Sequence, residues 1–126
     1  MTPREALKGN KVRVYLRVST TGQEGTLPDQ QKTVLSGLKS LGFKGKPEIY
    51  SEQASGTKKD RKELLRMLQD IRDSPKESVV VVRDFQRFTR DPVHYGALWD
   101  EFRDRGIRIV SINENLATGT AKNVEP

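Results

Sequence analysis

The sequence predicts an α/β domain, a mainly parallel central sheet of four to five strands flanked by helices. Three observations predict it. Apolar runs of strand length alternate with stretches of helical period, and the links between them are short. Ser78–Val82 contains four consecutive valines, the mark of a strand covered on both faces and therefore central in a parallel sheet.

Taken in order, residues 1–10 are polar and without pattern and are expected to form a flexible leader. The first strand spans Lys11–Val18. Val12, Val14, Leu16 and Val18 share one face and Arg13, Tyr15 and Arg17 the other, with Ser19 next on the arginine face. Two readings stay open at this point: a half-exposed edge strand with surface arginines, or a serine and an arginine set to meet an anion. Ser19–Thr26 is a loop. A helix follows over Leu27–Leu41, capped by Thr26, with Pro28 tolerated in its first turn and Gly42 ending it. Pro47–Ser51 is a short second strand and Glu52–Lys59 a polar loop. Asp60 and Glu63 have the spacing of a capping arrangement for a helix to Asp73, whose buried stripe is Leu64, Leu65, Met67, Leu68 and Ile71. After the valine strand and the segment Arg83–Asp91, a helix begins near Pro92 and ends at Gly106. Ala97, Leu98 and Phe102 face inward there, beside Tyr95 and Trp99. Ile107–Ile112 is the fourth strand, and Asn113–Pro126 reads as loop and tail.

At 126 residues the chain is one domain, large enough for a core without disulfides. It has no cysteine, which excludes a disulfide framework, a thiolate metal site and a cysteine nucleophile. No apolar run approaches ~18 residues, so the expectation is a soluble intracellular protein without a membrane segment. Lys and Arg number 23 against 17 Asp and Glu, a net charge of +6. That excess favours polyanionic partners.

In open parallel sheets, ligands bind beyond the carboxyl ends of the strands. Ser19 follows the first strand, Glu52 the second, Arg87 and Arg90 the third and Asn113 the fourth. Arg61 opens the helix after the second loop, an unfavourable place for a cation near the positive end of a helix dipole and hence a sign of a functional reason. Guanidinium groups offer planar paired donors to phosphate oxygens and stay charged at any working pH. Several of them around one hydroxyl suit phosphoryl transfer, where positioning and charge stabilisation carry most of the catalysis. Other chemistries fit badly. The single histidine, His94, falls in the first turn of a predicted helix and supplies no triad base. The Ser19–Thr26 loop lacks a Walker ending, no histidine cluster can hold zinc, and Glu52, Asp60, Asp84 and Asp91 read more simply as caps and salt-bridge partners than as magnesium ligands. Tyr15 either packs against the helix over 27–41 or contacts the phosphate.

Tyr15-Leu16-Arg17-Val18-Ser19-Thr20 with Gln23, then Leu27 and Gln30, Ser55-Gly56 with Asp60-Arg61, and Arg87-Phe88-Thr89-Arg90 together resemble the catalytic domain of serine recombinases, the resolvase, invertase and large serine integrase group. The likeness covers nearly the whole chain. It implies a catalytic domain over residues 11–120, with 121–126 a tail toward the family's oligomerisation helix and DNA-binding domain. It implies that Ser19 attacks a DNA phosphodiester, forms a 5′-phosphoseryl link and frees a 3′-hydroxyl, without metal or other cofactor. Arg17, Arg61, Arg87 and Arg90 match the family's phosphate-binding arginines; Tyr15, Thr20, Gln23, Gln30 and Glu52 match supporting positions. The implied partners are double-stranded DNA and further copies of the chain, as dimers that pair into tetramers, in a bacterial, phage or other mobile-element setting. One departure stands out. The family has an acidic residue immediately before the first arginine of Arg-x-x-Arg, where this chain has Gln86, with Asp84 two residues earlier. Two other readings remain: a non-catalytic DNA-binding or assembly module on the same fold, and a different phosphoryl-handling enzyme.

Overall fold

The computed structural model describes residues 2–18, 26–53, 62–74, 78–84, 100–102 and 104–117. Five strands form one sheet in the order β2-β1-β3-β4-β5. They are β1 (Lys11–Val18), β2 (Glu48–Gln53), β3 (Ser78–Val82), β4 (Arg108–Ser111) and β5 (Leu116–Ala117). The first four run parallel, and β5 turns back antiparallel to β4. All five residues of the valine strand β3 are buried between β1 and β4, as its composition requires.

Three described helices cover the sheet: α1 (Pro3–Leu7), α2 (Leu27–Ser40) and α3 (Lys62–Asp73). Residues 100–102 and 104–105 are also helical, and Gly106, at φ +72, ends that segment as expected. The alternation along β1 divides the core in two. Val12, Val14 and Leu16 pack with Val34 and Leu38 of α2 and with Ala6 and Leu7 of α1. Tyr15 packs on the opposite side with Tyr50, Leu64, Met67, Leu68 and Phe102. In α2, Gly37 lies against Ile112: a Cβ there would meet Ile112 Cγ2 at 2.6 Å, so the glycine lets the helix close onto the chain leaving β4.

Several expectations are corrected. Residues 1–10 do not form a loose leader. Thr2 and Glu5 close a capping box at the start of α1, and Pro3, Ala6 and Leu7 are buried. The first strand is no edge strand. It lies between β2 and β3, and its polar face is covered, leaving Arg13 at 6% exposure and Arg17 at 0%. β2 extends to Gln53, because Arg17↔Glu52 and Val18↔Gln53 continue the ladder past Ser51, and Glu52 is thus a strand residue. In α3, Leu64, Met67, Leu68 and Ile71 are buried, but Leu65 is 46% exposed, since it falls about 100° round the helix from that stripe. The stretch after Asn113 contributes β5 before the tail. The Asp60 cap, the start near Pro92 and Tyr95, Ala97, Leu98 and Trp99 lie outside the described residues.

Candidate phosphate site at the carboxyl end of the sheet

The strand order fixes where a ligand-binding crevice opens. α2 carries the chain from β1 outward to β2 on one face, and α3 carries it back past β1 to β3 on the other. The chain leaves β1 toward β2 but leaves β3 toward β4, so the strand order reverses between β1 and β3, the topological switch point at which open α/β sheets bind ligands. The rim is stepped there. β1 pairs with β3 only as far as Tyr15↔Val82 but with β2 as far as Val18↔Gln53, so Leu16–Val18 run beyond the end of the valine strand. The next residue in the chain is Ser19.

Three expected supporting residues build this end of the sheet. Gln30, 2% exposed in the first turns of α2, accepts from the Arg17 backbone N–H at 3.0 Å and donates to the Arg17 carbonyl at 3.1 Å. It thereby pins the last turn of β1 against the helix that follows Ser19. Tyr15 is fully buried, and it packs on the α3 side rather than against α2. Its hydroxyl donates to Glu52 Oε2. Glu52 also accepts the Glu63 N–H at 3.0 Å and the Leu64 N–H at 3.3 Å. One carboxylate thus satisfies two of the orphan donors at the start of α3, where a negative charge also meets the positive end of the helix dipole. It ties β1, β2 and α3 into one unit immediately downstream of Arg61 in the chain.

Arg17 is fully buried and engaged by its surroundings. Strand alternation puts it on the Tyr15 face, two residues before Ser19. Asp84, the carboxylate nearest to Gln86 in the chain, is 19% exposed and its Oδ2 accepts from Arg83 Nε at 3.0 Å. Ser19, Thr20, Gln23, Arg61, Gln86, Arg87 and Arg90, with His94, lie outside the described residues. Among the described residues no group of three or more His, Cys, Asp or Glu could hold a metal, and no helix is long and apolar enough to cross a membrane.

A second polar network escaped the sequence. Arg13 donates from Nε to Ser78 Oγ at 3.0 Å and from Nη1 to the Tyr50 hydroxyl at 2.8 Å, and Tyr50 donates to Asp70 Oδ2 at 2.8 Å. Arg66 stacks over the Tyr50 ring at 4.4 Å, a cation–π contact. Burial, followed by the bond to Asp70, raises the Tyr50 hydroxyl above its ordinary value. Glu63 is held below the usual carboxylate range, chiefly by its hydrogen bond from Arg66. The register sets polar Ser78 two positions from Arg13, on the same face, and Glu48 directly beside Arg13. The sequence alone could not show that this face is roofed by α3.

Comparison with known proteins agrees with the strand order. The model of the resolvase N-terminal domain matches residues 12–124. The Tn1546 transposon resolvase of Enterococcus faecium is 31% identical over 100 residues, covering 79% of this chain and 46% of that protein. The DNA-invertase of Escherichia phage P1 is 33% identical over 109 residues, covering 84% and 50%. The chain spans about half the length of these relatives. The N-terminal catalytic domain of TP901-1 integrase shares the fold, with a TM-score of 0.71 at 24% identity over 90% of this chain and 85% of that one. The C-terminal catalytic domain of ISC1926 TnpA, an IS607-like serine recombinase, has a TM-score of 0.65 at 26% identity over 80% and 66%. Sheet, matched span and relatives agree, and the chain belongs to the resolvase family of serine recombinases through its N-terminal catalytic domain.

Proposed function

We propose that this chain is the catalytic domain of a site-specific DNA recombinase, with Ser19 as the nucleophile that cleaves and rejoins double-stranded DNA. The observation that carries the reading is the stepped rim at the β1/β3 switch point. There a fully buried arginine, Arg17, stands two residues before Ser19 on one strand, and the neighbouring strand leads through Arg83 and Asp84 toward Arg87 and Arg90.

The Ser19 oxygen attacks the scissile phosphorus and loses its proton. The bond from phosphorus to the 3′ oxygen breaks, and that oxygen leaves as a hydroxyl after gaining a proton. The enzyme then holds a 5′-phosphoserine diester. In the second step a 3′-hydroxyl of an exchanged strand attacks the same phosphorus, and Ser19 recovers its proton. The number of phosphodiester bonds is conserved, so the cycle needs no external energy source. Arg17, Arg61, Arg87 and Arg90 offer paired donors to the equatorial oxygens as charge builds on them, in place of a metal ion. Tyr15, Glu52 and Gln30 hold the strand ends and the start of α3; Thr20 and Gln23 flank the nucleophile. With Gln86 in the usual acidic position, Asp84 is the carboxylate on hand for proton transfer, and it must leave or share Arg83 to serve. The active assembly is a tetramer formed from two dimers on paired DNA sites. The relatives are transposon resolvases and phage invertases, and the same mobile-element setting, inside a bacterial cell, is proposed here.

A nicked duplex that strands the reaction at the cleaved stage tests this. With the chain fused to a DNA-binding domain directed to flanking sites, a covalent protein–DNA adduct is expected, unchanged by EDTA and absent in Ser19→Ala. Arg87→Lys and Arg90→Lys are expected to lower adduct formation by at least tenfold, because an ammonium cannot reproduce the paired donors. DNA binding with no adduct from the unsubstituted chain would instead favour a non-catalytic assembly module.

A further inference from the structure

The end of the sheet opposite the phosphate site carries positive charge that the proposed chemistry does not use. α1 leads into the start of β1 and α2 into the start of β2, so the turns 8–10 and 41–47 meet at the amino ends of parallel strands. Arg4, Lys8 and Lys44 line one depression of about 380 Å³ there, beside Leu7 and Phe43. Lys39, in the last turn of α2, and Lys46, in the link to β2, are exposed in the same region. These turns contain no acid, and the acids that flank them in α1 and β2 are already engaged. Glu5 accepts from the Thr2 backbone and hydroxyl, and Glu48 pairs with Lys11 at 3.5 Å. Cations that complement the carboxyl ends of helices explain Lys39 and Lys8. They do not explain Lys44 and Lys46, which lie beyond the helix. Arg4 is fitted rather than loose. Nη2 donates to the Ser40 carbonyl at 3.3 Å, and Gly42, at φ +88, makes room for the guanidinium, since a Cβ there would lie 2.8 Å from Nη1. α1, which carries Arg4, falls before the span matched by the family model, residues 12–124.

We infer that this amino-end surface is a second contact for duplex DNA, gripping phosphates about 23 Å of strand length from the carboxyl rim. The inference rests on the DNA reading given above. Exposed ammonium groups distributed over two turns suit a polyanion of regular charge spacing. They position a duplex without reading its sequence.

Fluorescence anisotropy of a labelled duplex of about 30 bp and arbitrary sequence, titrated between about 50 and 200 mM salt, measures this as the slope of log Kobs against log salt. The double variant Lys8→Gln/Lys44→Gln is expected to reduce the slope by about 1.8, and adding Arg4→Gln by about 2.7. The double variant leaves Arg4 and its contacts in place, and circular dichroism checks the fold of each protein. Arg66→Gln/Arg72→Gln/Arg105→Gln removes three positive charges, as the triple variant does, from the opposite, α3-covered face of the sheet and is expected to leave the slope nearly unchanged. An unchanged slope in the double variant, or an equal loss in this control, overturns the inference. So does tighter binding of a polyglutamate peptide than of duplex at equal salt, if Lys8→Gln/Lys44→Gln abolishes it. The anisotropy slope reads binding of an arbitrary duplex without any cleavage, whereas adduct formation reads the chemistry, so failure of the cleavage chemistry and failure of the amino-end contact are read separately.

Discussion

Glu52 shows how one side chain sets the geometry of the rim. It takes two N–H groups of α3 and the Tyr15 hydroxyl, so its removal takes an acceptor away from two helix donors and a buried phenol at once. Glu52→Ala is expected to cost about 1–2 kcal/mol in urea denaturation, with Glu52→Gln intermediate because it keeps an acceptor but loses the charge at the helix end. Gln30→Ala is expected to cost about 1–3 kcal/mol, since it removes two buried hydrogen bonds to the Arg17 backbone together. A loss below about 0.5 kcal/mol for either Ala variant would mean that water replaces these contacts. Both residues were singled out in the sequence by their place in a motif. Their tasks were not, because they depend on which face of β1 each helix covers. Arg13 makes the same point. On paper its face of β1 was open between a half-exposed edge and an anion site, and only the roof supplied by α3 made it a buried partner of Tyr50.

Elements were legible where periodicity had room to show itself. The valine strand, α2 with its Thr26 cap and the helix ended by Gly106 follow directly from apolar spacing and capping chemistry. α1 did not, because five residues give barely one helical turn and no stripe to detect, although Thr2 and Glu5 already had the spacing of a capping box. β5, two residues long, had too little pattern for the same reason. Between elements, Arg72 of α3 donates to Glu101 at 2.7 and 2.8 Å, and Arg105 adds a contact at 3.3 Å. The hydrogen bond from Arg72 holds Glu101 below the usual carboxylate range. A carboxylate with a depressed folded pKa contributes stability in full above its unfolded value and loses it as pH falls through the folded one. The link is partly exposed, so Arg72→Gln is expected to cost about 0.5–1 kcal/mol at pH 7 and less by pH 3. Denaturation at the two pH values checks this, and an equal loss at both would mean that the pair contributes through packing rather than charge.

At the scale of the molecule, the order β2-β1-β3-β4-β5 sets the carboxyl ends of β2, β1 and β3, with Glu52, Arg17 and the start of the segment after Val82, side by side. The four-valine strand was enough to predict a parallel sheet, and the rule that ligands sit at carboxyl ends was enough to nominate Ser19, Glu52 and the arginines. The sequence could not reveal that both faces of β1 are roofed, so that Arg17 lies within the core. The central claim is the identity of the nucleophile. Its most direct measurement is mass spectrometry of the protein–DNA adduct trapped on a nicked duplex, after digestion of protein and DNA. The account predicts one modified peptide carrying a 5′-linked nucleotide on Ser19, with a free 3′-hydroxyl on the other DNA product. An adduct on any other residue, or a 3′-linked phosphate, would contradict it.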